Sequence, residues 1–176
     1  MPPVNVVQKP TELVQIVDEQ NKPIGAATRA EMRSRNLIHR CSFTIVQNLE
    51  EQIYVQKRVA FKETFPSHYD PAPGGVVGSE ETYEENAVRE LEEEMGIRDA
   101  AIEKLFDFWY GDETYRMWGR LFRCQSDGPF RLDPEEVEGG QFMSLQEVVG
   151  LLRGGPVCPD SAIAVKRFLE EHHDIF

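Results

Sequence analysis

Glu90, Glu93 and Glu94 stand at i, i+3 and i+4 in the run Arg89-Glu90-Leu91-Glu92-Glu93-Glu94. At 3.6 residues per turn, this spacing places all three carboxylates in one arc of a helix. Like charges so arranged repel and destabilise an isolated helix, so the pattern asks for a compensating cation. A divalent ion is the first candidate. Mg²⁺ takes hard oxygen ligands at about 2.0–2.1 Å, keeps several waters and is commonly shared with substrate phosphates. Leu91, Met95 and Val88 form an apolar stripe about a third of a turn away, with Ala87 at its border. One face is therefore expected to bury while its neighbour projects carboxylates from a rigid mount. Taken alone, the same spacing also suits a solvated acidic helix face.

The residues around the run narrow the reading. Gly75 is followed after five residues by Glu81, then after seven by Arg89-Glu90, an aliphatic, Glu93-Glu94 one position on, and Gly96-Ile97. At every position this segment resembles the Nudix box. The resemblance implies an α/β (α+β) fold with a mixed β-sheet sandwiched between helices. It also implies a loop–helix–loop that binds Mg²⁺ or Mn²⁺ and cleaves a diphosphate linked to another moiety. By position, Glu90, Glu93, Glu94 and the Gly75 carbonyl would be metal ligands, and Arg89 would orient the acidic cluster.

Flanking segments are similar to one branch of that superfamily. Leu13–Asp18, Pro23-Ile24-Gly25, Leu37-Ile38-His39-Arg40, Lys57-Arg58, Lys62 and Phe65-Pro66 look like the isopentenyl-diphosphate isomerases. That likeness implies that Arg58 and Lys62 hold the diphosphate, which suits Arg and Lys as donors to phosphate oxygens. The departures point away from isomerisation. The loop before the box reads Asp70-Pro71-Ala72-Pro73-Gly74-Gly75, with Gly74 where the isomerases need a Cys. Val76 replaces a His, Tyr115 and Met117 replace two Glu ligands, and only His39 persists of the metal histidines. The expected activity is a divalent-metal pyrophosphohydrolase acting on a nucleoside, sugar or prenyl diphosphate. The alternatives are a prenyl-diphosphate isomerase-like enzyme and a catalytically silent ligand-binding module.

Hydrolysis by water needs a general base, a contribution of about 10²–10⁴-fold. Glu90 or Glu94 could serve. In several members of the superfamily the base is instead a Glu on a loop before a late aromatic strand, and Glu136 aligns best with it, with Glu135 and Glu138 as rivals. Trp109, Tyr110, Tyr115, Trp118 and Phe122 are candidates to stack on a base or line an isoprenoid pocket.

The 176-residue chain suits one domain, expected over residues 11–176 behind a loose leader at 1–10. Its formal net charge is −12, and residues 80–94 alone carry eight Glu against one Arg. No basic footprint for nucleic acid stands out. Cys41, Cys124 and Cys158 are widely spaced and odd in number, which argues against a disulfide framework. No apolar run is long enough to span a membrane. The expected setting is cytoplasmic, the expected partner is a small diphosphate, and a homodimer is left open.

Elements able to position the box follow from local pattern. Leu13–Asp18 reads as a strand turning at Glu19–Lys22, and residues 28–35 as a short polar helix. Arg40–Gln47 and Gln52–Arg58 read as a hairpin. Val59–Gly74 reads as a long irregular stretch whose Phe61, Phe65, His68 and Tyr69 imply ordered packing. Glu103–Tyr110 and Thr114–Cys124 read as strands, 130–140 as an acidic loop and Gln141–Met143 as a short strand. Ser144–Glu147 is a capping box opening a helix to Leu152, and Asp160 is the expected cap of a final helix ending near Glu171.

Overall fold

His39–Gln47 is buried along nearly its whole length, and the other elements are arranged by which side of that strand they cover. A computed structural model describes residues 12–176, so the expected leader lies outside the described residues. The order is β1 (Leu13–Val17), β2 (Pro23–Thr28), α1 (Arg29–Ser34), β3 (His39–Gln47), β4 (Ile53–Arg58), β5 (Tyr69–Asp70) and β6 (Gly74–Val76). Then come α2 (Tyr83–Met95), β7 (Ile102–Gly111), β8 (Arg116–Gln125), β9 (Val137–Met143), α3 (Leu145–Gly154) and α4 (Pro159–His173). Along β3, Cys41, Phe43 and Ile45 pack in a core with Met32 of α1, Val148 and Val149 of α3, and Ala164, Val165 and Phe168 of α4. The alternate residues face α2: Val46 packs with Leu91 and Met95, and Ser42 bonds Asn86. The mixed sheet is thus sandwiched between helices, as expected.

The hairpin expectation holds only at its turn. β3 and β4 pair at Gln47–Ile53 and then part. β4 continues antiparallel to β9, while β3 pairs in parallel with β8 from His39–Met117 to Gln47–Gln125. The short β5 and β6 attach to β4 and β3 respectively, filling the wedge between them. β6 and β2 were not expected. The first is three residues with two glycines, and the second is an edge strand exposed from Pro23 to Ala26 without alternation. β9 begins at Val137, so the last four of the eleven residues expected as acidic loop are strand. Asp160 does not cap α4: Cys158 holds the cap position without a side-chain bond, and Asp160 is buried in the first turn. Phe61 is exposed, whereas Phe65, His68 and Tyr69 are half-buried.

Both ends of α2 are well defined. Thr82 and Glu85 form a capping box, each side chain accepting from the other's backbone N–H. Gly96 ends the helix in the left-handed region at φ 71°, where glycine has no Cβ penalty. The buried face is Tyr83, Asn86, Ala87, Leu91 and Met95, while Val88 is only half-buried, so the stripe runs one position round from expectation. Among the described residues, no helix is long and apolar enough to cross a membrane. Cys41, Cys124 and Cys158 are all buried and unpaired.

His39 is fully buried, with Nδ1 3.2 Å from the Leu37 carbonyl oxygen and Nε2 without a partner among the described residues. Burial pushes its pKa down to about 4, and the Leu37 bond only partly opposes this. The folded protein therefore binds fewer protons at this site than the unfolded chain, whose ordinary His titrates near 6.5. The resulting stability is complete above about pH 6.5 and is lost as pH falls through 4. His39→Asn keeps a donor for the Leu37 carbonyl, and is expected to flatten the loss of unfolding free energy between pH 7 and 4 by on the order of 3 kcal/mol. Urea titrations at the two pH values measure this, and equal slopes in both proteins would refute it.

Candidate active site

The carboxylates of the box are arranged around one guanidinium. Arg89 Nε donates to Glu81 Oε1 at 2.6 Å and Nη2 to Glu81 Oε2 at 3.2 Å. Its Nη1 reaches Glu90 Oε1 at 3.2 Å and both oxygens of Glu93 at 3.1–3.2 Å. The Glu81 bonds, followed by the charges of Glu90 and Glu93, hold Arg89 well above the ordinary guanidinium range, against its burial. Burial works against ionised Glu81 too, but the bonds from Arg89, Gly78 N–H and Asn86 hold its carboxyl below the usual range. Asn86 completes the hub, donating 2.9 Å bonds to Val76 O and Glu81 Oε2 and accepting one from Ser42 Oγ at 2.5 Å. Sequence reading placed Glu81 in the pattern without giving it a task. Its bonds make it the residue that ties the incoming loop to α2.

Glu90 and Glu94 are pushed the other way. Burial raises both, and each also feels its acidic neighbours: Glu93 for Glu90, then Glu90, Glu136 and Asp70 for Glu94. Arg89 eases the strain on Glu90 and Lys62 that on Glu94. Glu93 is more exposed and leans on Arg89. Gly75 lies against Glu90 so closely that any Cβ would overlap the Glu90 carboxylate. At Gly74 a Cβ would run into the Ser42 carbonyl, so this backbone admits no side chain where the isomerases carry Cys.

Glu94, Gly74 and Gly75 open onto a cavity of about 420 Å³ in the wedge between β3 and β4. Arg58 and Lys62 are on its wall. Lys62 Nζ forms an ion pair with Glu136 Oε2, which brings two of the expected site residues together. Arg58 donates to the Thr64 carbonyl at 3.0 Å and lies 3.9 Å from Asp70. Of the rivals to Glu136, Glu138 turns to Lys57 at 3.6 Å with more than half of its side chain exposed. His39 is not on the cavity wall. Of the five candidate aromatics only Tyr115 lines it. Trp109 and Trp118 pack edge to face against each other, Tyr110 bonds Asp112, and Phe122 is buried with Tyr83 and Ala87. Arg29 and Asp160 also line the cavity and were not anticipated. Basic and acidic residues met late in the chain or before the box carry no local signal of a shared cavity.

The fit to a divalent ion rests on the donor set. Among the described residues, no three His, Cys, Asp or Glu side chains form a finished cage, and Arg89 lies between Glu90 and Glu93. The donors are nevertheless all oxygen and crowded by burial, and the Glu90 carboxylate sits against the Gly75 backbone in room that only a glycine leaves it. They suit Mg²⁺ or Mn²⁺.

A NUDIX domain profile matches residues 38–163, most of the chain. The chain belongs to the Nudix family. An uncharacterized Nudix hydrolase of Pseudomonas aeruginosa is 39% identical over 159 residues, covering 90% of this chain and 94% of the relative. One from Yersinia pestis is also 39% identical, covering 93% and 88%. The crystal structure of a Deinococcus radiodurans protein superposes with a TM-score of 0.76 at 24% identity, covering 89% of this chain and 98% of that one. The Nudix sheet-and-helix layering described above is thus shared, and the chain is a Nudix-type hydrolase.

Two variants test the Nudix hub. Gly75→Ala should displace the Glu90 carboxylate and weaken Mn²⁺ binding by about 10–100-fold with the far-ultraviolet dichroism unchanged. Glu81→Gln should cost about 1–3 kcal/mol of stability by loosening the Arg89 bonds. Wild-type Mn²⁺ affinity in the first, or an unaltered denaturation midpoint in the second, would contradict this geometry.

Proposed function

We propose that this Nudix hydrolase is a divalent-metal-dependent pyrophosphohydrolase that cleaves a diphosphate linkage by attack of water. One observation carries the reading: Glu94 and Gly75 share a cavity wall with Arg58 and Lys62. Carboxylates suited to a cation and cations suited to phosphate oxygens face one space. Glu90, Glu93 and Glu94, with the Gly75 carbonyl, would hold Mg²⁺ or Mn²⁺. When bound, the ion supplies charge neutralisation on the phosphoryl oxygens and a lowered pKa for water.

The remaining chemistry belongs to the side chains. Arg58 and Lys62 bind and orient the diphosphate. Lys62 pairs with Glu136 in the free protein, so a phosphate oxygen that takes Lys62 leaves Glu136 without its cation. Released from Lys62, the Glu136 carboxylate has an oxygen free to bond a water and accept its proton. Arg89 touches no substrate in this scheme and acts by holding Glu90 and Glu93. The resemblance to the isomerase branch extends to Arg58 and Lys62. The crowding at Gly74, which excludes a Cys, supports hydrolysis over isomerisation.

Glu94→Gln should abolish metal-dependent turnover of a panel of nucleoside, sugar and prenyl diphosphates while leaving the fold intact. Glu136→Gln should lower kcat by about 10²–10⁴-fold with Mn²⁺ affinity retained. Near-wild-type turnover in the first would sink the metal assignment, and in the second would return the base to α2.

A further inference from the structure

Arg58 reaches the cavity with part of its guanidinium already engaged. Nε and Nη2 donate to the Thr64 carbonyl at 3.3 and 3.0 Å, which fixes the plane of the group. Nη1 stops 3.9 Å from Asp70 Oδ2, beyond hydrogen-bond reach. The two side chains are largely buried, at 18% and 8% exposed. A carboxylate so near a guanidinium ordinarily closes the gap, because the two groups match in shape and charge. A direct pair here would neutralise the cation on which the diphosphate depends.

The group that holds Asp70 back comes from far along the chain. Ser161, on α4 and 1% exposed, donates its hydroxyl to Asp70 Oδ1 at 2.6 Å. The Ala72 backbone N–H reaches the same oxygen at 3.2 Å. The carboxylate is thus anchored by Oδ1, while Oδ2 faces Arg58. A hydroxyl bond this short to an ionised carboxylate is charge-assisted and among the stronger hydrogen bonds. Without it, Asp70 keeps only the longer Ala72 bond, and a buried carboxylate short of donors is costly. Among the described residues, the cation within 4 Å that can make up the loss is Arg58. The charge of Arg58 also acts on Asp160. Asp160, however, accepts the Ser161 backbone N–H at 2.8 Å, a bond that an alanine would keep.

We propose that Ser161 is a positioning residue for diphosphate binding: it holds Asp70 off Arg58 and leaves Nη1 to the phosphate oxygens. This rests on Arg58 binding the diphosphate, as argued above. The test uses the full-length protein with Mn²⁺ and methylenediphosphonate, a non-cleavable probe that carries the diphosphate moiety alone. Calorimetry should show Ser161→Ala weakening the probe by about tenfold or more, as a lost charge-assisted bond implies. In an Asp70→Asn background no carboxylate is present to capture Arg58. The same substitution should then cost less than about threefold. A loss caused by disturbed packing would instead be carried into both backgrounds. Unchanged affinity in Ser161→Ala overturns the proposal, and so does an equal loss with and without the Asp70 carboxylate. If Ser161→Ala does not fold, Ser161→Cys takes its place with the same outcomes read, since a thiol is a weak donor. Failure of the diphosphate reading would appear in the wild type itself, as no binding of the probe, and would take the proposal with it.

Discussion

The guanidinium of Arg89 is the constraint on which the site depends. Three carboxylates from two elements converge on it: Glu81 from the loop, and Glu90 and Glu93 from α2. Without a cation there, the negative charges on that face of α2 would repel along the helix and against the loop. With it, the loop that follows β6, the strand of Gly74 and Gly75, is clamped to the helix that carries Glu94. Asn86 extends the clamp to β3 through Ser42 and to the end of β6 through Val76. The positions of the cavity-facing groups thus follow from bonds made outside the cavity.

The second determinant is the parting of β3 and β4. A continuous hairpin would keep the two helical layers on opposite sides of an unbroken sheet. Because the strands separate after one pair, only the two residues of β5 and three of β6 fill the wedge, and a cavity opens there. Groups from both layers reach it: Glu94 from α2 on one side, Arg29 from α1 and Asp160 from α4 on the other. Opposite charges can therefore line one space although they sit on opposite faces of the sheet.

What was legible in the sequence was what has a local period or cap. The acidic helix, the capping box at Ser144 and the long strands follow from spacings of two, three and four residues, and the sandwich architecture from the resemblance. Arg58, Lys62 and Glu136 were identified by resemblance, and the structure places Lys62 against Glu136. What escaped depends on partners far along the chain. β2 and β6 are strands because β1 and β3 offer them edges, not because of their own residues. Asp160 resembles a cap in sequence, but the helix starts one residue earlier at Pro159, which puts its carboxyl inside the first turn. Arg29 looks like one more surface charge on a short polar helix. Its burial follows from packing that no neighbouring residue announces.

The parallel pairing of β3 with β8 runs through nine consecutive residues, and Arg58, Lys62, Gly75, Glu81, Arg89, Glu90, Glu93 and Glu94 all lie in the chain between them. Such pairing cannot nucleate locally, because a long loop must close before the first bond is made. During synthesis from the N-terminus, one edge of β3 stays open until residues 116–125 have left the ribosome. That edge belongs to a nearly all-buried strand, HRCSFTIVQ, and an open edge is a template for pairing with other chains. The interval before β8 arrives is when a growing chain of this protein is most exposed to aggregation.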